Sequence, residues 1–328
     1  MKNIQADIKS GNFKQVYLLY GEEAYLKQQY KQNLVKALNP DGDTMNFNHY
    51  EGKGIDVKQL IDLCETMPFF AERRVVLLED TGFFKNKCEE LADYMKELPD
   101  YLYLVFAETE VDKRNRMYKA VKSCGSIAEF IRQDEKTLMR WAAGILGKAG
   151  KKITQRDMEL LLTKTGTDMG NLRMEMEKLI SYTEGRDVVT AEDIEEICTT
   201  QTTNRIFDMV RAVTEKNQKR ALELYYDLLT LKEPPMRILF LLAKQYRQLL
   251  LAKQFAAAGL AQTEIASKLG VPGFVVKNIT TCARVYTISE LEQAVKDFVD
   301  AEESVKTGRL EDKLSVELLI IKYSSKVK

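Results

Sequence analysis

Three short apolar runs decide which class of fold is open to this chain: 15–20 (QVYLLY), 75–78 (VVLL) and 101–106 (YLYLVF). Each is too short for a helix and continuous rather than alternating, the pattern of a strand buried on both faces. The segments between them carry apolar residues at helical spacing. Tyr25, Leu26, Tyr30, Leu34 and Leu38 share one face over 22–38, and Val57, Leu60, Ile61, Cys64 and Met67 share one over 55–67. Residues 45–51 and 126–131 read as further strands, 40–43 (PDGD) as a turn, and 86–97 and 114–122 as helices, the first ended by Pro99. Strands alternating with helices imply a mainly parallel sheet covered on both faces, an α/β domain over residues 1–135.

Ligands of such sheets sit at the carboxyl ends of the strands. The tip after the first run is therefore the place for a phosphate loop, which needs GxxxxGK[ST] so that stacked backbone N–H groups and a lysine meet the phosphates. The tip reads Gly21-Glu22-Glu23-Ala24-Tyr25-Leu26, with two carboxylates where phosphate would lie, and no other segment fits the pattern. Glu79 and Asp80 end the run 75–78 as the magnesium-holding strand of an ATPase would. Without the loop, they read as solvated acids after a buried strand. The domain is a nucleotide-binding scaffold that is not expected to bind nucleotide.

At the opposite side of that run stands TMPFFAERR, residues 66–74. Pro68 lacks a donor and restricts the residue before it, so the preceding helix should stop there. Phe69 and Phe70 then fall in the joint between helix and strand. Adjacent joint residues rarely both point inward, so at least one ring is expected to reach solvent, where an apolar pair is an anchor for a partner protein. The alternative is that both rings plug the base of the core.

Beyond residue 135 the strand signals vanish. Residues 136–203 read as a small helical bundle. Leu138, Met139, Trp141, Ala142, Ile145 and Leu146 face inward on its first helix, Thr154 and Thr190 cap later ones, and Met169, Met174 and Met176 serve as core filler. A polar stretch over 199–204 reads as a linker. Residues 204–328 are helical throughout, with Pro234-Pro235 starting a long apolar helix over 236–258. Within this part, 262–277 (QTEIASKLGVPGFVVK) has the outline of a helix-turn-helix. A DNA reader would turn arginine, asparagine or glutamine toward base edges. The second helix offers Pro272, Gly273, Phe274, Val275 and Val276 instead, which suits burial.

Composition narrows the function. Lysine plus arginine and aspartate plus glutamate both number 49, so no net charge draws a polyanion to the isolated chain. No apolar run approaches a membrane span, and the start, MKNIQADIKSGN, does not read as a signal peptide, so a cytoplasmic location is expected. The five scattered cysteines form no CxxC pair and read as free thiols, and the single histidine, His49, cannot build a His-rich metal site. No catalytic residue, cofactor site or metal site is expected.

The phrases VYLLYGEEAYL (16–26), MPFFAERRVVLLED (67–80), GTDMGNLRMEMEKL (166–179), NRIFDMV (204–210) and SVKTGRLEDKLSVELLII (304–321) together resemble the delta subunits of bacterial DNA polymerase III clamp loaders, in the right order and over nearly the whole chain. The resemblance implies an α/β plus all-α architecture: a degenerate AAA+-like domain (1–135), a three-helix lid-like domain (136–203) and a helical collar for oligomerisation (204–328). It implies no ATPase activity, and a hydrophobic wedge that enters a pocket on the sliding beta clamp. By position the wedge is Met67, Phe69 and Phe70; relatives also carry a leucine–phenylalanine pair here, from which Phe69 departs. Arg73 and Arg74 are candidates for further contacts, the alternative being a solvated strand edge. The implied partners are the sliding clamp, the tau/gamma ATPase subunits, the delta-prime subunit and primed DNA within a polymerase holoenzyme. Two alternatives from other classes are an NTPase with a non-standard site and a helix-turn-helix regulator.

Overall fold

The computed structural model describes residues 2–199, 202–271 and 273–325. It forms two compact units, Met1–Gln133 and Asp134–Lys328.

The first unit is built on a five-stranded sheet of β1 (Val16–Tyr20), β2 (Phe47–Glu51), β3 (Arg74–Glu79), β4 (Leu102–Glu108) and β5 (Ser126–Glu129). All pairings are parallel, in the order β2-β3-β4-β1-β5. Period-two alternation sends Val16, Leu18, Val76, Leu78, Leu104 and Phe106 to one face. There they meet α3 (Val57–Glu65), α4 (Glu89–Tyr94) and α5 (Arg116–Cys124). Tyr17, Leu19, Val75, Leu77 and Val105 go to the other face, against α2 (Ala24–Leu38) and α1 (Lys2–Ser10). Cover on both faces explains why the central strands are continuously apolar between the charged ends of β3 and β4. Helix α1 carries no strong sequence signal, since KNIQADIKS turns only Ile4 and Ile8 toward the core. The Tyr17 hydroxyl holds it by donating to Asp7 Oδ2 at 2.9 Å.

The second unit begins with α6 (Glu135–Lys148), α7 (Gln155–Thr165) and α8 (Met169–Tyr182), joined by the short α9 (Ala191–Ile197). Thr154 and Thr190 cap α7 and α9 through the backbone N–H groups of Asp157 and Asp193. Strand signals do not vanish here: β6 (Lys152–Ile153) pairs in parallel with β7 (Val188–Val189). Two residues are too few for an alternating pattern to register in sequence. Met169 and Met176 fill the core as expected, but Met174 lies exposed on the opposite side of α8. Helices α10 (Thr202–Thr214), α11 (Gln218–Thr230), α12 (Pro235–Ala257), α13 (Gln262–Leu269), α14 (Gly273–Ala283), α15 (Ile288–Lys306) and α16 (Asp312–Ser324) follow. Of the expected linker, Thr200 and Gln201 lie outside the described residues, and helix α10 already begins at Thr202. Ile238, Leu239, Leu242, Tyr246, Leu249 and Ala252 of α12 are buried in the shared core of these helices.

Candidate functional site

The chain between α3 and β3 stands at the amino ends of strands β2 and β3, opposite the edge where nucleotides bind in sheets of this kind. Helix α3 ends without a glycine cap. Its last carbonyls find side-chain donors instead: Tyr101 Oη donates to Glu65 O (2.8 Å), Arg74 Nε to Thr66 O (2.8 Å) and Arg74 Nη2 to Met67 O (3.3 Å). Arg74 is therefore neither a solvated strand edge nor available to a partner. It is 5% exposed, and its Nη1 also reaches Asn48 Oδ1 at 3.2 Å. Arg73 lies over the rings of Phe13 and Tyr103, 5.2 and 5.4 Å from their centroids.

Beyond Pro68, both phenylalanines face outward. Met67 is 74% exposed, Phe69 56% and Phe70 96%, which excludes the core-plug alternative. The two rings pack edge to face, 4.5 Å between centroids and 80° between planes. Phe70 adopts φ +49°, a left-handed backbone uncommon for a residue with a bulky side chain. Met45, 64% exposed, precedes Asn46, whose side chain meets Phe69: the Phe69 N–H donates to Asn46 Oδ1 (2.6 Å), and Asn46 Nδ2 donates to Phe69 O (2.8 Å). Asn46 Nδ2 also donates to Asp43 Oδ2 at 2.5 Å. That bond, with a second from the Met45 N–H, holds the Asp43 carboxyl below the ordinary carboxylate range. Asn46 has no signature in sequence, because its partner Phe69 lies 23 residues away, and Asp43 acts only through Asn46. A second adjacent pair, Phe83 and Phe84, is buried, so doublet composition alone does not mark the exposed one.

The carboxyl ends of the strands are occupied by groups that bond one another. Glu108, buried at the end of β4, accepts from Thr81 N (3.0 Å) and Thr81 Oγ1 (2.6 Å). Burial pushes its carboxyl above the ordinary range, and the Thr81 bonds offset part of that rise. The sequence reading of solvated acids holds for Asp80, which is exposed, and is corrected for Glu79. Glu79 is half-buried and pairs with Lys31 Nζ (2.6 Å) and His49 Nε2 (2.9 Å). Asp80 Oδ1 accepts from Thr109 N and Oγ1, at 3.0 and 2.8 Å. Gly21, at the tip where a phosphate loop would start, has φ +126°. A Cβ there would lie 2.2 Å from the Phe130 carbonyl oxygen, so a close backbone crossing demands the glycine. Glu22 lies 3.6 Å from Arg132 at the same tip. Among the described residues, no cluster of three His, Cys, Asp or Glu side chains could hold a metal ion. Burial pushes the thiols of Cys64 and Cys198 up to about 12.

In the second unit, α13 and α14 form the helix-turn-helix outline, with Gly270 left-handed in the turn. Val276, Ile279, Cys282 and Ala283 of α14 are buried in the helical core. Pro272 and the Phe274 side chain lie outside the described residues. Helix α16 buries Val316, Leu319 and Ile320 yet leaves Leu314, Leu318 and Ile321 exposed, so it is apolar on more than one side.

A family model described as DNA polymerase III, delta subunit, matches residues 17–130. A second, described as DNA polymerase III delta subunit, C-terminal domain, matches residues 203–323, and the two together span well over half of the chain. The DNA polymerase III subunit delta of Bacillus subtilis is 26% identical over 332 residues, covering 97% of this chain and 95% of that protein. The probable DNA polymerase III subunit delta of Aquifex aeolicus is 22% identical, covering 80% and 77%. The solved structure of the Bacillus subtilis DNA clamp loader delta protein superposes over 99% of both chains, with a TM-score of 0.68 at 24% identity. The α/β sheet unit and the helices that follow thus share the fold of that delta protein. The chain belongs to the family of DNA polymerase III delta subunits.

Proposed function

We propose that this chain is the noncatalytic clamp-loader subunit that binds the sliding beta clamp and opens it for loading onto primed DNA. The observation that carries this reading is the exposed Phe69–Phe70 pair, presented at the sheet rim with Phe70 on a left-handed backbone. A pair of rings facing water is costly to maintain unless a partner covers it. Met67, Phe69 and Phe70 are the wedge. Burying three such side chains contributes roughly 5–9 kcal/mol at about 1.5–3 each. Association costs about 4–15 kcal/mol in lost freedom, so the wedge needs further contacts. Opening follows from differential affinity: the chain binds the open ring better than the closed one.

The reading divides the chain into an AAA+-like domain (1–135), a lid-like domain (136–203) and a collar (204–328). The exposed apolar side of α16 supports collar contacts with the tau/gamma ATPase and delta-prime subunits. The missing phosphate loop, and carboxylates engaged by threonines at the strand ends, support a chain without hydrolysis of its own. The burial of α14 counts against a DNA-reading regulator. No helix among the described residues is long and apolar enough to cross a membrane, in keeping with action in the cytoplasm on the replication machinery. The test is a pull-down with the sliding clamp of the same organism. Wild-type chain should be retained and the Phe69→Ala/Phe70→Ala variant lost; equal retention overturns the reading.

A further inference from the structure

We propose that Asn46 is a positioning residue for the aromatic wedge: its carboxamide holds Phe69 so that Phe70 stands in water ready for the clamp. The proposal rests on the reading of Phe69 and Phe70 as the clamp contact.

The Asn46 side chain bonds both backbone polar groups of one residue, the Phe69 N–H and the Phe69 carbonyl, closing a two-bond ring as a paired strand would. The clasp itself is fixed. Asn46 is 4% exposed, and its own carbonyl accepts the Val75 N–H at 2.9 Å, tying it to the start of β3. Its two amide hydrogens go to Asp43 and to Phe69. A carboxylate accepts only, so Asp43 compels the NH2 end to face it and leaves Oδ1 for the Phe69 N–H. Asp43 is held in turn by Asn39, which donates from Nδ2 to the Asp43 carbonyl and accepts the Asp43 N–H. The turn 39–46 is thus a bracket whose end grips the wedge.

The next residue shows what the grip maintains. Phe70 is left-handed and 96% exposed, a conformation that a free loop would leave, because relaxing to negative φ removes a steric conflict and lets the rings settle on apolar surface. A wedge that is correctly presented only part of the time binds with its affinity reduced by that fraction.

The test measures the full chain against the sliding clamp by surface plasmon resonance, with amide exchange followed by mass spectrometry. Asn46→Ala should weaken binding at least tenfold, with faster exchange over 66–73 and unchanged protection of β1 and β4. Asn46→Asp should not restore binding, since it cannot donate to Phe69 O. Asp43→Ala, which frees the amide to turn, should weaken binding at least threefold and keeps the test decisive if Asn46→Ala does not fold. In a Phe70→Leu background, Asn46→Ala should cost much less than in wild type, because its effect passes through the ring. Equal losses in both backgrounds, or wild-type binding by Asn46→Ala while Phe69→Ala/Phe70→Ala fails, overturn the positioning role. Wild-type binding by the double alanine overturns the clamp reading itself.

Discussion

The guanidinium of Arg74 reaches back across its own loop to the carbonyl of Thr66, 2.8 Å from Nε, and so closes the end of helix α3 from the first residue of β3. A cation at a helix carboxyl end is favoured both by the unpaired carbonyls and by the helix dipole. Arg74→Ala should destabilise the first unit by about 2 kcal/mol, from lost charge-assisted hydrogen bonds. Arg74→Lys should recover less than half of this, because an ammonium cannot span the Thr66 and Met67 carbonyls as a planar fork does. Urea denaturation checks both; full recovery by lysine would contradict the account.

On the proposed reading of the wedge, Phe70 sets stability against binding. Its left-handed backbone is strained for a phenylalanine, whereas asparagine tolerates that conformation. Phe70→Asn should therefore leave folding unharmed or raise stability by up to about 1 kcal/mol. The same variant should weaken clamp binding at least tenfold, about 1.4 kcal/mol or more. A lowered Tm would show that the ring packs on its own domain.

Glu108 gives a pH dependence of known sign. Burial raises its carboxyl in the folded chain, so the proton is held more tightly there than in the unfolded chain. Stability from this group is fully present below the unfolded value of about 4.3 and falls as pH rises through the folded value. Glu108→Gln removes the titration. The wild-type stability minus that of the variant should decline as pH rises from about 4 and level off above the raised value. A difference that grows over this range would refute the assignment.

Gly21→Ala should destabilise the first unit by more than about 2 kcal/mol, since a methyl group would meet the Phe130 carbonyl at 2.2 Å on a backbone with φ +126°. A denaturation midpoint near wild type would show that the 130–131 segment yields easily.

Much of the fold was legible because burial on both faces leaves unbroken apolar runs, and those runs became β1, β3 and β4. Helix α4 is shorter than the expected 86–97, for residues 83–88 turn sharply to bury Phe83 and Phe84 before it starts at Glu89. The position of Phe69 and Phe70, and the exposure of at least one ring, were legible from Pro68, but that both rings face outward was not, since the buried Phe83–Phe84 doublet reads the same in composition. The polar supports were illegible for a different reason. Asn46 and Arg74 matter through bonds made to backbone atoms, which carry no residue identity, and an arginine opening a strand reads as solvated until its carbonyl partners are seen.

Strand β3 joins two rims that share little else. It is buried from Arg74 to Leu78, laddered to β2 and β4, and its six residues separate the aromatic joint from the carboxylate end by about 20 Å. At that spacing, substitutions at the two rims act independently. A protein with this layout can have its carboxylate-side lettering rewritten wholesale while the aromatic surface at the far side stays word for word the same.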